Sequence, residues 1–214
     1  MNLGLLIILI SLSGSISNWL NWRYLNYSVV RLLYYLGAVV HESSHAFLCL
    51  LTGAKITKFS VFSKQPQVNH YKSKLPILGE FFISIAPIAG GLVFLFLINK
   101  YYLQNYFIIP QFHVWQDIFT APLDILSQIN LLNWKDWIMI LLFLNVGSMI
   151  GPSWQDLKNI WPVMIVLFFF NYPVFDYFGS LVIVLILTNI LIQIILILII
   201  EIIKNIYFRI LPGK

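Results

Sequence analysis

The sequence predicts an all-α polytopic membrane protein of about six transmembrane helices, with a short cytoplasmic β-hairpin and an interfacial segment. Three observations carry this. Hydrophobic residues make up 60% of the 214-residue chain and charged ones only 10%, with a mean hydropathy of +0.86, far from the balance of a soluble domain. The apolar residues fall in six runs, at about 3–20, 27–52, 79–99, 137–151, 159–171 and 180–203, several close to the roughly 20 residues that a bilayer span needs. The basic residues collect on one side when these runs are counted as spans.

The first run, with Ser13-Gly14-Ser15 behind an apolar stretch, has the outline of a signal peptide. No Lys or Arg precedes it, so it reads as an uncleaved helix. The second run ends at Gly53, a helix stop. Residues 55–72 alternate polar and apolar around Pro66-Gln67, the pattern of a hairpin. The third run carries Ser84-Ile-Ala-Pro-Ile-Ala-Gly-Gly. This stretch is either a kinked face for close helix packing or a narrow place where a substrate strand approaches at Pro87. Residues 100–136 hold Tyr101, Tyr102, Tyr106, Phe107, Phe112, Trp115 and Trp134 with Pro110 and Pro122, which suits a segment at headgroup depth, interfacial or partly re-entrant. The fourth and fifth runs are short and flank Gly151-Pro152, which must interrupt a helix. The last run, rich in Ile and Leu, is a spanning helix.

Lys55, Lys58, Lys64, Lys72 and Lys74 all lie between the second and third runs, which makes that loop cytoplasmic. Counting spans from there puts Lys158, Lys204, Arg209 and Lys214 on the same side. Arg23, Arg31, Lys100 and Lys135 then lie at or near the other face, and both termini are cytoplasmic. The net charge of +5 forms no compact basic face, so a nucleic-acid partner is excluded and the lipid bilayer is the partner implied. A single cysteine, Cys49, rules out an internal disulfide framework.

Within the second run stands His41-Glu42-Ser43-Ser44-His45, the pattern H-E-x-x-H. On a helix it sets two imidazoles one turn apart on one face, where both can bind zinc, with Glu42 beside them as general base. The bland alternative is a buried hydrogen-bonded cluster. Burying Glu42 without a cation would cost several kcal/mol, so the metal reading is preferred. Ser43 and Ser44 serve close packing. With the helix ending near Gly53, His41 is about 18 Å inside the cytoplasmic boundary.

A hydrolytic zinc site usually has three protein ligands. The best third ligand is Asp156, just after the Gly151-Pro152 break, where an unwound stretch inside a membrane can line a wet cavity. Its bland role is a carboxylate at a helix N-terminus near Lys158. Asp117, Asp124 and Asp136 belong to the interfacial segment, Asp176 to an outside loop, and Glu201 sits beside Lys204. Glu80 can cap the third helix. Cys49, one turn beyond His45, is either a soft ligand or, more commonly, a small buried hydrophobe. His70 and His113 fall in different loops and read as solvated or interfacial. Asn145 either orients a substrate carbonyl or hydrogen-bonds across helices.

Val39-Val-His-Glu-Ser-Ser-His-Ala-Phe, followed by Leu51-Thr-Gly-Ala-Lys-Ile, a hairpin, a Pro/Gly-bearing helix and then Asn145 and Asp156, resembles the site-2 protease family of intramembrane zinc metalloproteases. The resemblance covers about residues 28–170 of a single domain spanning 1–214, with extra helices at about 3–20 and 180–203. It implies zinc held by His41, His45 and Asp156, with Glu42 as catalytic base, and cleavage of a peptide bond in or near a transmembrane segment of a membrane-protein substrate. Two departures stand out. Ser44 occupies a place where the family commonly has Gly, and Asp156 lies in Gly-Pro-Ser-Trp-Gln-Asp-Leu-Lys rather than an N-P-x-P-x-x-L-D-G-like stretch. Two other classes remain: a catalytically inactive metal-binding chaperone or assembly factor, and a small metal transporter. The almost wholly apolar last helices argue against the transporter.

Overall fold

The computed structural model describes residues 3–25, 27–63, 66–108, 116–167, 169 and 173–210. His113, Pro110, Phe112, Trp115, Lys64 and Lys214 lie outside the described residues. In chain order the elements are α1 (Leu3–Tyr24), α2 (Tyr27–Thr52), β1 (Ile56–Ser60), β2 (Gln67–His70), α3 (Leu78–Leu97), α4 (Asp117–Ser127), α5 (Trp134–Leu142), α6 (Trp154–Leu167) and α7 (Pro173–Ile210). Single π-helical turns extend α3 over Ile98–Tyr102 and α5 over Phe143–Gly147.

Gly53 ends α2 as expected, at φ 70°. Its N–H donates to the Leu50 carbonyl (3.3 Å) and the Ala54 N–H to that of Cys49 (2.8 Å), the paired closure that a left-handed residue permits. β1 and β2 pair antiparallel, with Phe59 opposite Val68 and Ser60 opposite Gln67. The hairpin is the one expected around Pro66. It folds back along α2, and its Phe62 ring lies 5.6 Å from the ring of Tyr35, well up that helix. Apolar Val61, which is buried there, supplies the reason.

Among the described residues, three helical stretches are long and apolar enough to cross a membrane: Gly4–Tyr24, Leu78–Tyr102 and Asp176–Tyr207. α2, at 26 residues, is long enough, but His41, Glu42 and His45 interrupt its apolar run. α5 and α6, at 9 and 14 residues, are too short alone because Gly151-Pro152 parts them. The segment over 100–136 was expected as interfacial, and it contains a helix of its own. α4 buries Ile118, Ala121 and Ile125 and packs on α7, while Tyr101, Tyr102 and Trp134 stay exposed.

α6 starts earlier than the apolar run at 159–171 that predicts it. Ser153 and Asp156 form a reciprocal cap, with Ser153 N–H donating to Asp156 Oδ2 (2.8 Å) and Asp156 N–H to Ser153 Oγ (3.2 Å). Asp156 is thus in the first turn of α6, not in the unwound stretch before it. Glu80, by contrast, does not cap its own helix. Its Oε1 accepts from the Ser73 N–H (2.8 Å) in the loop before α3.

α2 packs on α3, α1 on α7, and α3 on α6, around a core that includes Leu6, Ile10, Val146, Ile150, Val182 and Ile186. Small residues let these helices approach closely. A Cβ at Gly90 would stand 1.8 Å from Ser44 Oγ, and one at Gly37 2.1 Å from the Asn145 carbonyl oxygen. Ser44 is therefore the packing residue expected of it.

Candidate metal centre

α2 presents His41 and His45 on one face, and α6 brings Asp156 against them; all three are buried. The two Nε2 atoms are 3.2 Å apart. Asp156 Oδ1 is 3.5 Å from His45 Nε2, and its Oδ2 is 3.9 Å from His41 Nε2.

Each imidazole is turned by a main-chain carbonyl. His41 Nδ1 lies 2.7 Å from the Met149 carbonyl, and His45 Nδ1 lies 2.7 Å from that of Ile83. A carbonyl can only accept, so both Nδ1 atoms carry a proton; in the neutral imidazoles, the form that binds metal, each Nε2 then presents a lone pair. These carbonyls are available for a local reason. In an α-helix the Ile83 carbonyl would accept from residue 87, but Pro87 has no N–H. The Met149 carbonyl would accept from Ser153, whose N–H is spent on Asp156 after the chain breaks at Pro152.

Two lone pairs facing each other beside a carboxylate repel unless a cation lies among them. The donors also suit a metal ion in kind and spacing: ligands about 2.0–2.2 Å from a tetrahedral zinc stand roughly 3.3–3.5 Å from one another. The three side chains could hold such an ion. The Asp156 carboxylate is already oriented by the Ser153 N–H, as a good ligand requires.

Glu42 follows His41 on α2 and is also buried. The two line a cavity of about 700 Å³, whose wall includes Tyr34, Phe62, Pro66, Ser148 and Ser153. The Val68 main chain, on β2, faces the Glu42 carboxylate. A second cavity of about 370 Å³ between α3, α5 and α7 is almost wholly apolar and contains none of these residues.

The other candidates sit elsewhere. Cys49 is buried beside Ala54 and Ile83 in an apolar cluster, outside the His41–His45–Asp156 group. The Asn145 amide donates to the Leu141 carbonyl one turn back in its own helix (2.9 Å), and neither Asn145 nor Pro87 forms the wall of the larger cavity. His70 Nδ1 pairs with the neighbouring Tyr71 carbonyl (2.9 Å). Glu201 pairs with Lys204 at 2.8 Å, as expected. Sequence reasoning missed the Ile83 and Met149 carbonyls and the cap at Ser153. Signals for two of them were present: Pro87 four residues after Ile83, and the Ser-x-x-Asp spacing of Ser153 and Asp156.

A family model described as Peptidase M50B-like matches residues 5–175, a stretch that contains all four site residues. No curated protein and no solved structure matches the chain.

Proposed function

This chain belongs to the Peptidase M50B-like family, within the site-2 proteases, and on that premise we propose that it is an intramembrane zinc metalloprotease. Its reaction is hydrolysis of a peptide bond in or beside a transmembrane segment of a membrane-protein substrate. The observation that carries this reading is the convergence of two imidazole Nε2 atoms and a carboxylate, with Glu42 beside them in the wall of a large cavity.

His41, His45 and Asp156 would hold the ion. When bound, zinc supplies Lewis acidity to a carbonyl and makes a nearby water more acidic. Glu42 takes the proton of the attacking water on its carboxylate and returns it to the nitrogen of the departing chain. The Met149 and Ile83 carbonyls keep the two imidazoles in the tautomer that leaves Nε2 free. The cavity beside Glu42 admits water and an unwound stretch of substrate, which a peptide bond within a helix requires before its carbonyl can be reached.

We read the chain as crossing the membrane about six times, with both termini and the Lys55–Lys74 connection on the cytoplasmic side. Support comes from the grouping of basic residues. The test is cleavage of a membrane-protein substrate by the purified protein. Wild type is expected to cleave, and Glu42→Gln to bind one zinc and leave the substrate intact. Cleavage by Glu42→Gln at the wild-type rate would overturn the reading.

A further inference from the structure

We propose that α7 is part of the metal centre: Ser17, Asn189 and Gln193 are positioning residues that hold the Met149 carbonyl on His41. This rests on the zinc reading above. Most of α7, Asn189 and Gln193 included, lies beyond the family-matched residues 5–175.

α7 is an Ile/Leu-rich helix, yet Thr188, Asn189 and Gln193 within it are all fully buried. Buried amides in such a helix are costly unless they bond, and in membrane helices they mark function or specific association. Asn189 and Gln193 are one turn apart on one face. Both give their amide N–H to one oxygen, Ser17 Oγ on α1, at 2.8 and 2.9 Å. Gln193 also donates to Ser148 Oγ at 3.1 Å, and Ser148 in turn donates to the Leu144 carbonyl at 2.5 Å. A Cβ at Gly147 would stand 3.1 Å from Asn189 Cβ, so α7 lies directly against this turn.

The location gives the network its meaning. Ser148 precedes Met149 by one planar peptide, and the Met149 carbonyl accepts the His41 Nδ1 proton. From Ile150 to Ser153 the chain leaves the helix, so regular backbone pairing no longer holds Met149 from its C-terminal side. The direction of the Met149 carbonyl is therefore set from its other side, where Gln193, itself held by Ser17, bonds Ser148. An apolar α7 would pack against the turn but could not hold it at one rotation.

The experiment compares zinc affinity, by chelator competition, in the purified full-length wild type, Gln193→Leu, Ser17→Ala and His45→Ala. The visible spectrum of the cobalt-loaded protein and the melting temperature of the metal-free protein are recorded alongside. Gln193→Leu is expected to bind zinc about 10- to 100-fold more weakly and to shift the cobalt spectrum, as loss of a partner that orients a ligand does. Ser17→Ala removes the oxygen that both amides share at little change in volume. It is expected to act in the same direction, and it decides the matter if Gln193→Leu does not fold. A merely structural network would lower the melting temperature and leave affinity and cobalt spectrum at wild-type values. That result overturns the inference alone. Wild type that binds zinc no better than His45→Ala overturns the zinc reading, and this inference with it.

Discussion

His45 and Pro87 are linked through one carbonyl: His45 Nδ1 is 2.7 Å from the Ile83 oxygen, and that oxygen is free because Pro87, four residues on, has no N–H to give it. Proline in the middle of a membrane helix here serves a ligand on the neighbouring helix. It also accounts for the proline and small residues of 84–91 without placing them against substrate, since Gly90 lies on Ser44 and Pro87 releases Ile83.

Pro87→Ala restores an N–H that competes for the Ile83 carbonyl. Metal-free protein is expected to be no less stable, because proline inside a helix costs more than alanine. Zinc affinity is expected to fall about tenfold, the low end for losing a group that orients a ligand. Chelator competition and a melt measure the two; unchanged affinity would show that the Ile83 carbonyl does not govern His45.

Asp156 has two tasks, and two substitutions separate them. Asp156→Asn keeps an oxygen able to accept from Ser153 N–H, so the start of α6 should survive while zinc stoichiometry drops. Asp156→Ala should lose both, at an added cost of about 1 kcal/mol for the missing cap. Full zinc occupancy in Asp156→Asn would remove this residue from the ligand set.

Ser44 stands where the family commonly has glycine, and Gly90 lies opposite it. Gly90→Ala would put a methyl 1.8 Å from Ser44 Oγ and is expected to cost about 1–3 kcal/mol. Adding Ser44→Gly should recover most of that loss. Gly37→Ala meets a backbone oxygen, Asn145 O, at 2.1 Å, which no side-chain change can move. Its loss should be at least as large and should persist in combination with any substitution at Asn145. Melting temperatures of the single and double variants check both statements.

Metal removal offers a further check. Chelation of the purified protein is expected to abolish cleavage reversibly and to lower the melting temperature, because an ion that binds only the folded state stabilises it by mass action. Restoration by zinc at one equivalent per chain completes the test. A melt that does not respond to chelator would argue that the cluster is filled by hydrogen bonds alone.

Much of this protein was legible along the chain, and for definite reasons. His41, Glu42 and His45 announce themselves because one helical turn fixes their geometry, and because ionisable groups are rare among apolar neighbours. Gly53 and the alternation around Pro66 mark a stop and a hairpin through local backbone preferences. Asp156 could be nominated only by its place after Gly151-Pro152, and its true setting, in a reciprocal cap with Ser153, follows from a spacing that is equally local but was hidden by the tryptophan and glutamine between them. α4 was hidden because its apolar face is only 11 residues long and merges into an aromatic-rich stretch.

By itself, then, the sequence determined a membrane-embedded chain, a pair of imidazoles one turn apart, and a glutamate beside them, since each depends on composition or on neighbours within a few residues. Only the tertiary structure decided what turns those imidazoles and completes the site. The Ile83 and Met149 carbonyls lie 38 and 108 residues from the histidines they orient, and Ser17 meets Gln193 across 176. No periodicity encodes such pairings. They arise when helices pack closely enough, at Gly90 on Ser44 and Gly37 on Asn145, for backbone atoms freed by proline to reach side chains on another element.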